Sequence, residues 1–188
     1  MTLGTGIGTG IVLDGKIYDG ALGAAGELGH LPTDRTDRAC GCGKVGCVEC
    51  YSAGKGLDMT AAELLGKGMT SADLFDAAKL GNADALAAIE LAVTVLGRAL
   101  TSAINLLSPE CLLLSGGLCE QKTLYLDPLI DYIKEHCYSS DKMPEIKRAA
   151  LGVLSPLYGA VRAPPLRSIP QRRSRRSRKF CRRSIWCL

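Results

Sequence analysis

The 188 residues are 47% hydrophobic and 22% charged, a balance that excludes an intrinsically disordered chain and suffices for one domain with a sizeable core. The formal net charge of +4 misleads, because nine of the 23 Lys and Arg residues lie between Pro164 and Leu188 with no acid among them, leaving 14 basic against 19 acidic residues elsewhere. The chain therefore reads as an acidic globule with a basic tail.

Aromatic residues make up 5% of the chain, so the core must rest on Leu, Ile, Val and Ala. Met1-Thr2-Leu3 runs into a glycine-rich loop without a basic leader, so no signal peptide is expected. No apolar run approaches the ~20 residues needed to cross a bilayer, so no membrane partner is expected. The nine cysteines are an odd number. They predict a reducing cytoplasm, with Cys111, Cys119 and Cys137 as free thiols.

In chain order, Gly4-Thr5-Gly6-Ile7-Gly8 can expose consecutive backbone N–H groups, as an oxyanion or phosphate requires. Glycine spacing alone equally suits a plain tight turn. Ile11-Val12-Leu13 and Lys16-Ile17-Tyr18 flank Asp14-Gly15, which predicts a hairpin with a type I′ turn. The small residues of Gly20 to Gly26 allow close backbone packing.

His30, Cys40, Cys42 and Cys47 then follow within eighteen residues. Zinc favours four tetrahedral ligands of imidazole nitrogen and thiolate sulfur, and a closed set of four makes a structural site. Gly41, Gly43 and Gly46 lie among the thiols, where the backbone must bend to aim successive sulfurs at one point. The alternatives are small buried apolar cysteines or a disulfide pair. Cys50 is a fifth donor that would allow a four-thiolate site without His30. If His30 binds metal, its other ring nitrogen is free to meet a carboxylate or a ligand hydroxyl. Glu27 and Glu49 flank the cluster, so a metal would fix two carboxylates and an imidazole edge together, a set suited to a polyhydroxylated ligand. Solvated surface charge explains the same two spacings.

Past the cluster, Tyr51 to Leu57 is expected to start a helix and break at Gly54 and Gly56. Gly54-Lys55 lacks the glycine spacing of a phosphate-binding Walker loop, and Lys55 receives no role. Helices are expected over 59–66 and 71–80, the second opened by a Thr70–Asp73 cap. Asn82 caps the longest helix, running to Leu107, whose Leu86, Ile89, Val93, Leu96, Leu100, Ile104 and Leu107 form one buried stripe. Cys111-Leu112-Leu113-Leu114 reads as a strand leading into Ser115-Gly116-Gly117. An amphipathic helix over 127–137 points Leu129, Ile130 and Ile133 inward, with His136 as a charge partner for its C-terminal end. A last strand is expected over 146–151 and a further helix from Pro156. From Pro164 the paired arginines cannot bury a core, and disorder is expected. The tail could neutralise nucleic-acid phosphates, but a shifted reading frame or non-native end is the favoured reading.

The ordered series G-T-G-I-G-T-G, then D-G-K-I-Y-D-G-A-L-G-A-A-G-E-L-G-H, then C-G-C-G-K-V-G-C-V-E resembles the signature of the ROK family of sugar kinases and sugar-responsive repressors. The resemblance covers about residues 1–163, most strongly the first fifty. It implies an α/β, ribonuclease-H-like (actin-like ATPase) C-terminal domain with an inserted zinc-binding loop over residues 30–49. It also implies that His30, Cys40, Cys42 and Cys47 bind structural zinc, and that Glu27, His30 and Glu49 contact the sugar. Gly4, Thr5 and Gly6 would approach the nucleotide phosphates, and Gly116 and Gly117 the adenosine. The implied activity is transfer of phosphate from ATP, with Mg²⁺, to a hexose or N-acetylhexosamine, in a homo-oligomer. The family's early D-x-G-G-T loop and its general-base aspartate have no counterpart here, and Gly152-Val153-Leu154-Ser155 stands where a glycine-asparagine-aspartate turn is usual. The chain is therefore expected to be a C-terminal portion, inactive alone. The alternatives are a fragment of a sugar-sensing ROK transcriptional regulator, or a non-enzymatic zinc module with a basic arm.

Overall fold

The computed structural model describes residues 1–138, 141 and 143–155. The expected helix from Pro156 and the basic tail lie outside the described residues. Among the described residues, five α-helices stand beside short strands, as the α/β expectation requires. The elements are β1 (Thr2–Leu3), β2 (Ile7–Gly8), β3 (Val12–Leu13), β4 (Lys16–Ile17), α1 (Glu49–Ser52), α2 (Gly54–Leu65), α3 (Ser71–Lys79), α4 (Ala83–Leu107), β5 (Cys111–Leu114), α5 (Asp127–His136) and β6 (Glu145–Arg148).

β1 and β2 pair antiparallel, Thr2 with Gly8 and Leu3 with Ile7. β5 and β6 pair parallel from Cys111–Glu145 to Leu114–Arg148. A parallel bridge from Thr2 to Ser115 stitches β1 to the end of β5, with Leu3 N–H donating to Ser115 O at 2.7 Å. The β3–β4 hairpin has the expected turn, because Asp14 and Gly15 both take positive φ, 51° and 71°. β6 stops at Arg148 rather than 151; beyond it, Gly152 N–H turns back to Ala149 O at 2.9 Å instead of continuing the ladder.

The core is a layer of helices laid against these strands. α4 is its spine and packs on α1, α2, α3 and α5. Asn82 caps α4 as predicted, accepting from Ala85 N–H at 2.9 Å, and Ser108 closes it in the left-handed region at φ 43°. Ile89, Val93, Leu96, Leu100 and Ile104 are buried, as are Ala85, Ala92, Val95 and Ala99. Leu86 and Leu107, expected in the stripe, are 39% and 49% exposed: Leu86 lies at the edge of the buried face beside fully buried Ala85, and Leu107 lies in the exposed last turn with Leu106. By length and composition alone α4 could cross a membrane, with a mean hydropathy of 1.5 over its most apolar window. The expectation of no such run missed it because Thr94, Arg98 and Thr101 interrupt the apolar residues. More than half of that window is buried inside the fold, as in a core helix.

The expected break at Gly54 and Gly56 falls instead at Ala53, whose extended backbone (ψ 167°) separates α1 from α2. The glycines serve close approach. A Cβ on Gly54 would lie 3.0 Å from Gly4 O, which accepts from Gly54 N–H at 2.8 Å, and Lys55 N–H donates to Thr5 O at 3.0 Å. The first turn of α2 thus satisfies its free N–H groups on the β1–β2 loop. The Thr70–Asp73 capping box forms at α3. A π-helical turn, Lys122–Leu126, precedes α5. It carries Tyr125, whose ring meets Phe75 edge-on at 6.3 Å and whose fully buried hydroxyl donates to Ser52 O. Leu129 and Ile133 of α5 are buried and Ile130 partly so, while His136 stacks on Tyr132 at 3.9 Å.

Replacing the α4 cap by Asn82→Ala should cost about 1 kcal/mol of folding stability. A urea titration would show this as a lower midpoint with an unchanged slope.

Candidate functional site

The loop between Leu31 and Val48 is built as nested antiparallel turns. Val48 N–H donates to Leu31 O at 3.0 Å, Thr33 N–H to Gly46 O at 2.8 Å and Gly46 N–H to Arg38 O at 2.9 Å. At the tip, Cys40 N–H donates to Lys44 O at 2.7 Å and Gly43 N–H to Cys40 O at 3.0 Å. Gly46 makes the nesting possible, since it takes φ +73° and a Cβ there would collide with Arg35 O. His30 ends a 3₁₀ turn over Leu28–His30 and faces the loop from the other side.

The result brings one ligand atom each from His30, Cys40, Cys42 and Cys47 within 4.8 Å of one another. Cys40 Sγ lies 3.5 Å from His30 Nδ1, and Cys42 Sγ lies 3.6 Å from Cys47 Sγ. Zinc–nitrogen and zinc–sulfur bonds at tetrahedral angles would require separations of about 3.6 Å and about 3.8 Å for such pairs. The donor set therefore has the spacing and chemistry of a zinc site. Cys40 and Cys47 are buried and Cys42 exposed, and the cysteines among the described residues are free thiols rather than disulfides. Cys50, the alternative donor, turns its Sγ toward Ala39 O at 3.8 Å. Burial pushes the Cys40 and Cys47 thiols up, while the Lys44 backbone N–H holds Cys42 down.

Two carboxylates converge on the same imidazole. Glu27 Oε2 is 3.7 Å from His30 Nε2, and Glu49 Oε1 is 3.6 Å from His30 Nδ1. Glu49, the first residue of α1, also lies 3.2 Å from Cys40 Sγ through Oε1. Its Oε2 accepts from Ile7 N–H at 3.5 Å and would be 3.1 Å from a Cβ on Gly6. One carboxylate thus bridges the thiol cluster and the Gly4–Gly6 loop, where Thr5 and Gly6 are exposed. Gly116 abuts the same loop: at φ +101°, a Cβ there would collide with the Leu3 backbone. Gly117 is exposed and opens a short 3₁₀ turn. The two glycine stretches therefore follow the carboxyl ends of neighbouring strands, where open α/β sheets place their ligands.

Sequence reasoning overlooked Arg38, an arginine in a loop that reads as solvated charge. It is only 8% exposed. It donates to Cys50 O at 3.1 Å, Gly56 O at 3.0 Å and Glu63 Oε2 at 2.7 Å. Nearby, Tyr51 donates to Asp37 Oδ1 at 2.9 Å, and that hydrogen bond holds the Asp37 carboxyl below the usual range. Two shallow hollows of about 320 Å³ each lie beside the metal loop rather than at the Glu27–His30–Glu49 cluster. One is lined by Arg35, Arg38, Tyr51 and Glu63, the other by Leu31, Thr33, Val95 and Arg98.

The model of the ROK family matches residues 1–163. An N-acetyl-D-glucosamine kinase from Haemophilus influenzae is 33% identical over 85% of this chain and 56% of its own length. The crystal structure of a ROK hexokinase from Thermus thermophilus superposes with a TM-score of 0.77 at 31% identity, over 85% of this chain and 53% of that one. A ROK family glucokinase from Streptomyces griseus, in complex with glucose and AMPPNP, gives 0.70 at 29% identity over 85% and 57%. The chain spans about half the length of the curated relatives it matches.

Gly46→Ala combines a positive φ with a backbone collision, and should destabilise the fold by about 3 kcal/mol. Thermal unfolding would show the loss, and an unchanged midpoint would refute the nested-loop account.

Proposed function

The chain belongs to the ROK family, and we propose that it forms the C-terminal, zinc-ordered wall of an ATP-dependent kinase for a hexose or N-acetylhexosamine. The observation that carries this reading is the meeting of Glu27, Glu49 and the thiol cluster on the two ring nitrogens of His30. In this reading His30 Nδ1, Cys40, Cys42 and Cys47 hold zinc, whose dication offsets three crowded thiolates and fixes the imidazole. Held through Nδ1, His30 keeps its proton on Nε2, on the Glu27 side, and is a donor to a sugar oxygen. Glu27 and Glu49 accept from sugar hydroxyls on either side. Two charged acceptors and one oriented donor suit a ligand dense in vicinal hydroxyls.

Thr5 and Gly6 present backbone N–H groups and the Thr5 hydroxyl to the nucleotide phosphates, with Gly4 N–H holding the loop's shape through Gly6 O at 3.1 Å, and Gly116 and Gly117 leave room for a flat base. Contact between Gly6 and Glu49 puts the phosphate loop and the sugar face side by side, as transfer between two bound substrates requires. Bound with the nucleotide, Mg²⁺ would neutralise charge on the transferred group. We assign the general base to no residue of this chain. One wall positions little, and the chain alone should give no turnover in an ATP-coupled hexose assay.

The purified chain should contain one zinc per molecule by elemental analysis. N-acetylglucosamine or glucose should raise its melting temperature, and a chelator or Glu27→Ala should abolish that shift. A zinc-loaded chain stabilised by neither of these sugars would refute the assignment of the site.

A further inference from the structure

We infer that Arg38 is a positioning residue for the metal loop, the strut that clamps Cys40 and Cys47 onto the helices carrying Glu49. The inference rests on the zinc reading above but concerns residues outside the ligand set. Arg38 stands two positions before Cys40, and its own carbonyl accepts from Gly46 N–H at 2.9 Å, one residue before Cys47. Its backbone therefore ties together the two arms of the loop that bear the thiols. Its side chain leaves the loop altogether. The guanidinium reaches Cys50 O in α1, Gly56 O in the first turn of α2 and the Glu63 carboxylate about two turns further along α2. It also lies 5.2 Å from the centroid of the Tyr51 ring, a cation–π distance.

A planar fork with five donors is the side chain able to serve two carbonyls and a carboxylate at once. The carbonyls are informative in themselves. Cys50 O and Gly56 O sit on either side of the Ala53 break, so Arg38 spans the joint between α1 and α2. That joint sets the direction of α1, and α1 begins with Glu49. A buried charge held by two carbonyls and a carboxylate is costly to strand, and removal of its partners or of the guanidinium is felt at the joint. The expected consequence is a loosened metal loop rather than a merely weaker fold, because the residues linked are the metal loop and the carboxylate-bearing helix. Arg38 Nε is buried without a partner, which fits a side chain held for its terminal fork.

The test is the rate at which the zinc-loaded chain gives up its metal to a chromophoric chelator. Arg38→Met should release zinc about tenfold faster than the parent chain, the scale found when groups supporting metal ligands are removed. Asn82→Ala, which weakens the fold at a distant helix cap, should release it within about twofold of the parent rate. Release from Arg38→Met at the parent rate, or equal acceleration in Asn82→Ala, would overturn the inference. Glu63 is 59% exposed, so Glu63→Ala folds even if Arg38→Met does not. It should accelerate release about threefold by removing one anchor of the fork, and an unchanged rate would contradict the strut. A parent chain that takes up no zinc would overturn the metal reading itself, before any variant is compared.

Discussion

Three thiols and an imidazole gathered within 4.8 Å are the constraint on which the remaining geometry depends. Burial alone favours protonated thiols at Cys40 and Cys47, and a carboxylate 3.2 Å from Cys40 Sγ adds like charge once that thiol ionises. A dication at the centre reverses this balance, since it favours the thiolates and leaves Glu49 as an attracted neighbour. The separations of 3.5 and 3.6 Å between paired donors suit a tetrahedral ion. Because Glu49 follows Cys47 by two residues, fixing the cluster also fixes the first turn of α1. An ion held by the cluster would fix His30 from its Nδ1 side and leave its other edge facing Glu27, 3.7 Å away.

The scaffold transmits that order to the glycine loop. Ile7 N–H meets Glu49 Oε2, and the carbonyls of Gly4 and Thr5 meet the first N–H groups of α2. The glycine loop is thus tied at one end to the Glu49 carboxylate and at the other to a helix terminus. α4 holds α1 and α2 in place beneath both. Ser52 donates to Ala92 O at 2.7 Å and accepts, through its carbonyl, from buried Tyr125. Among the described residues, α4 thereby holds the carboxylate cluster and the glycine loop together with few aromatic residues.

The most legible parts of the sequence were those governed by local rules. The Asp14-Gly15 turn, the Asn82 cap, the Thr70–Asp73 box and the Cys111–Leu114 strand each follow from residues within a few positions of one another. So does the cluster, because its ligands are close in sequence and its glycines mark the bends. Contacts between distant segments were illegible. Gly54 and Gly56 read as helix breakers because nothing local reveals that the β1–β2 loop and the Cys50 carbonyl press against them. Arg38 was overlooked because its partners lie 12, 18 and 25 residues away. Leu86 and Leu107 continue the apolar period of α4, but period does not tell how wide the covered face is at each turn, and Ala85 is buried where Leu86 is not. The carboxylates sat between these cases. Their proximity to His30 was readable from spacing, whereas Glu49 touching the glycine loop required the fold.

X-ray absorption at the zinc edge of the purified chain tests the central claim most directly. The account predicts one nitrogen ligand at about 2.0–2.1 Å and three sulfur ligands at about 2.3 Å. A four-sulfur shell would put Cys50 in place of His30 and detach the imidazole from the metal. Such a result would contradict the account, because the sugar face would then lack the group that orients it.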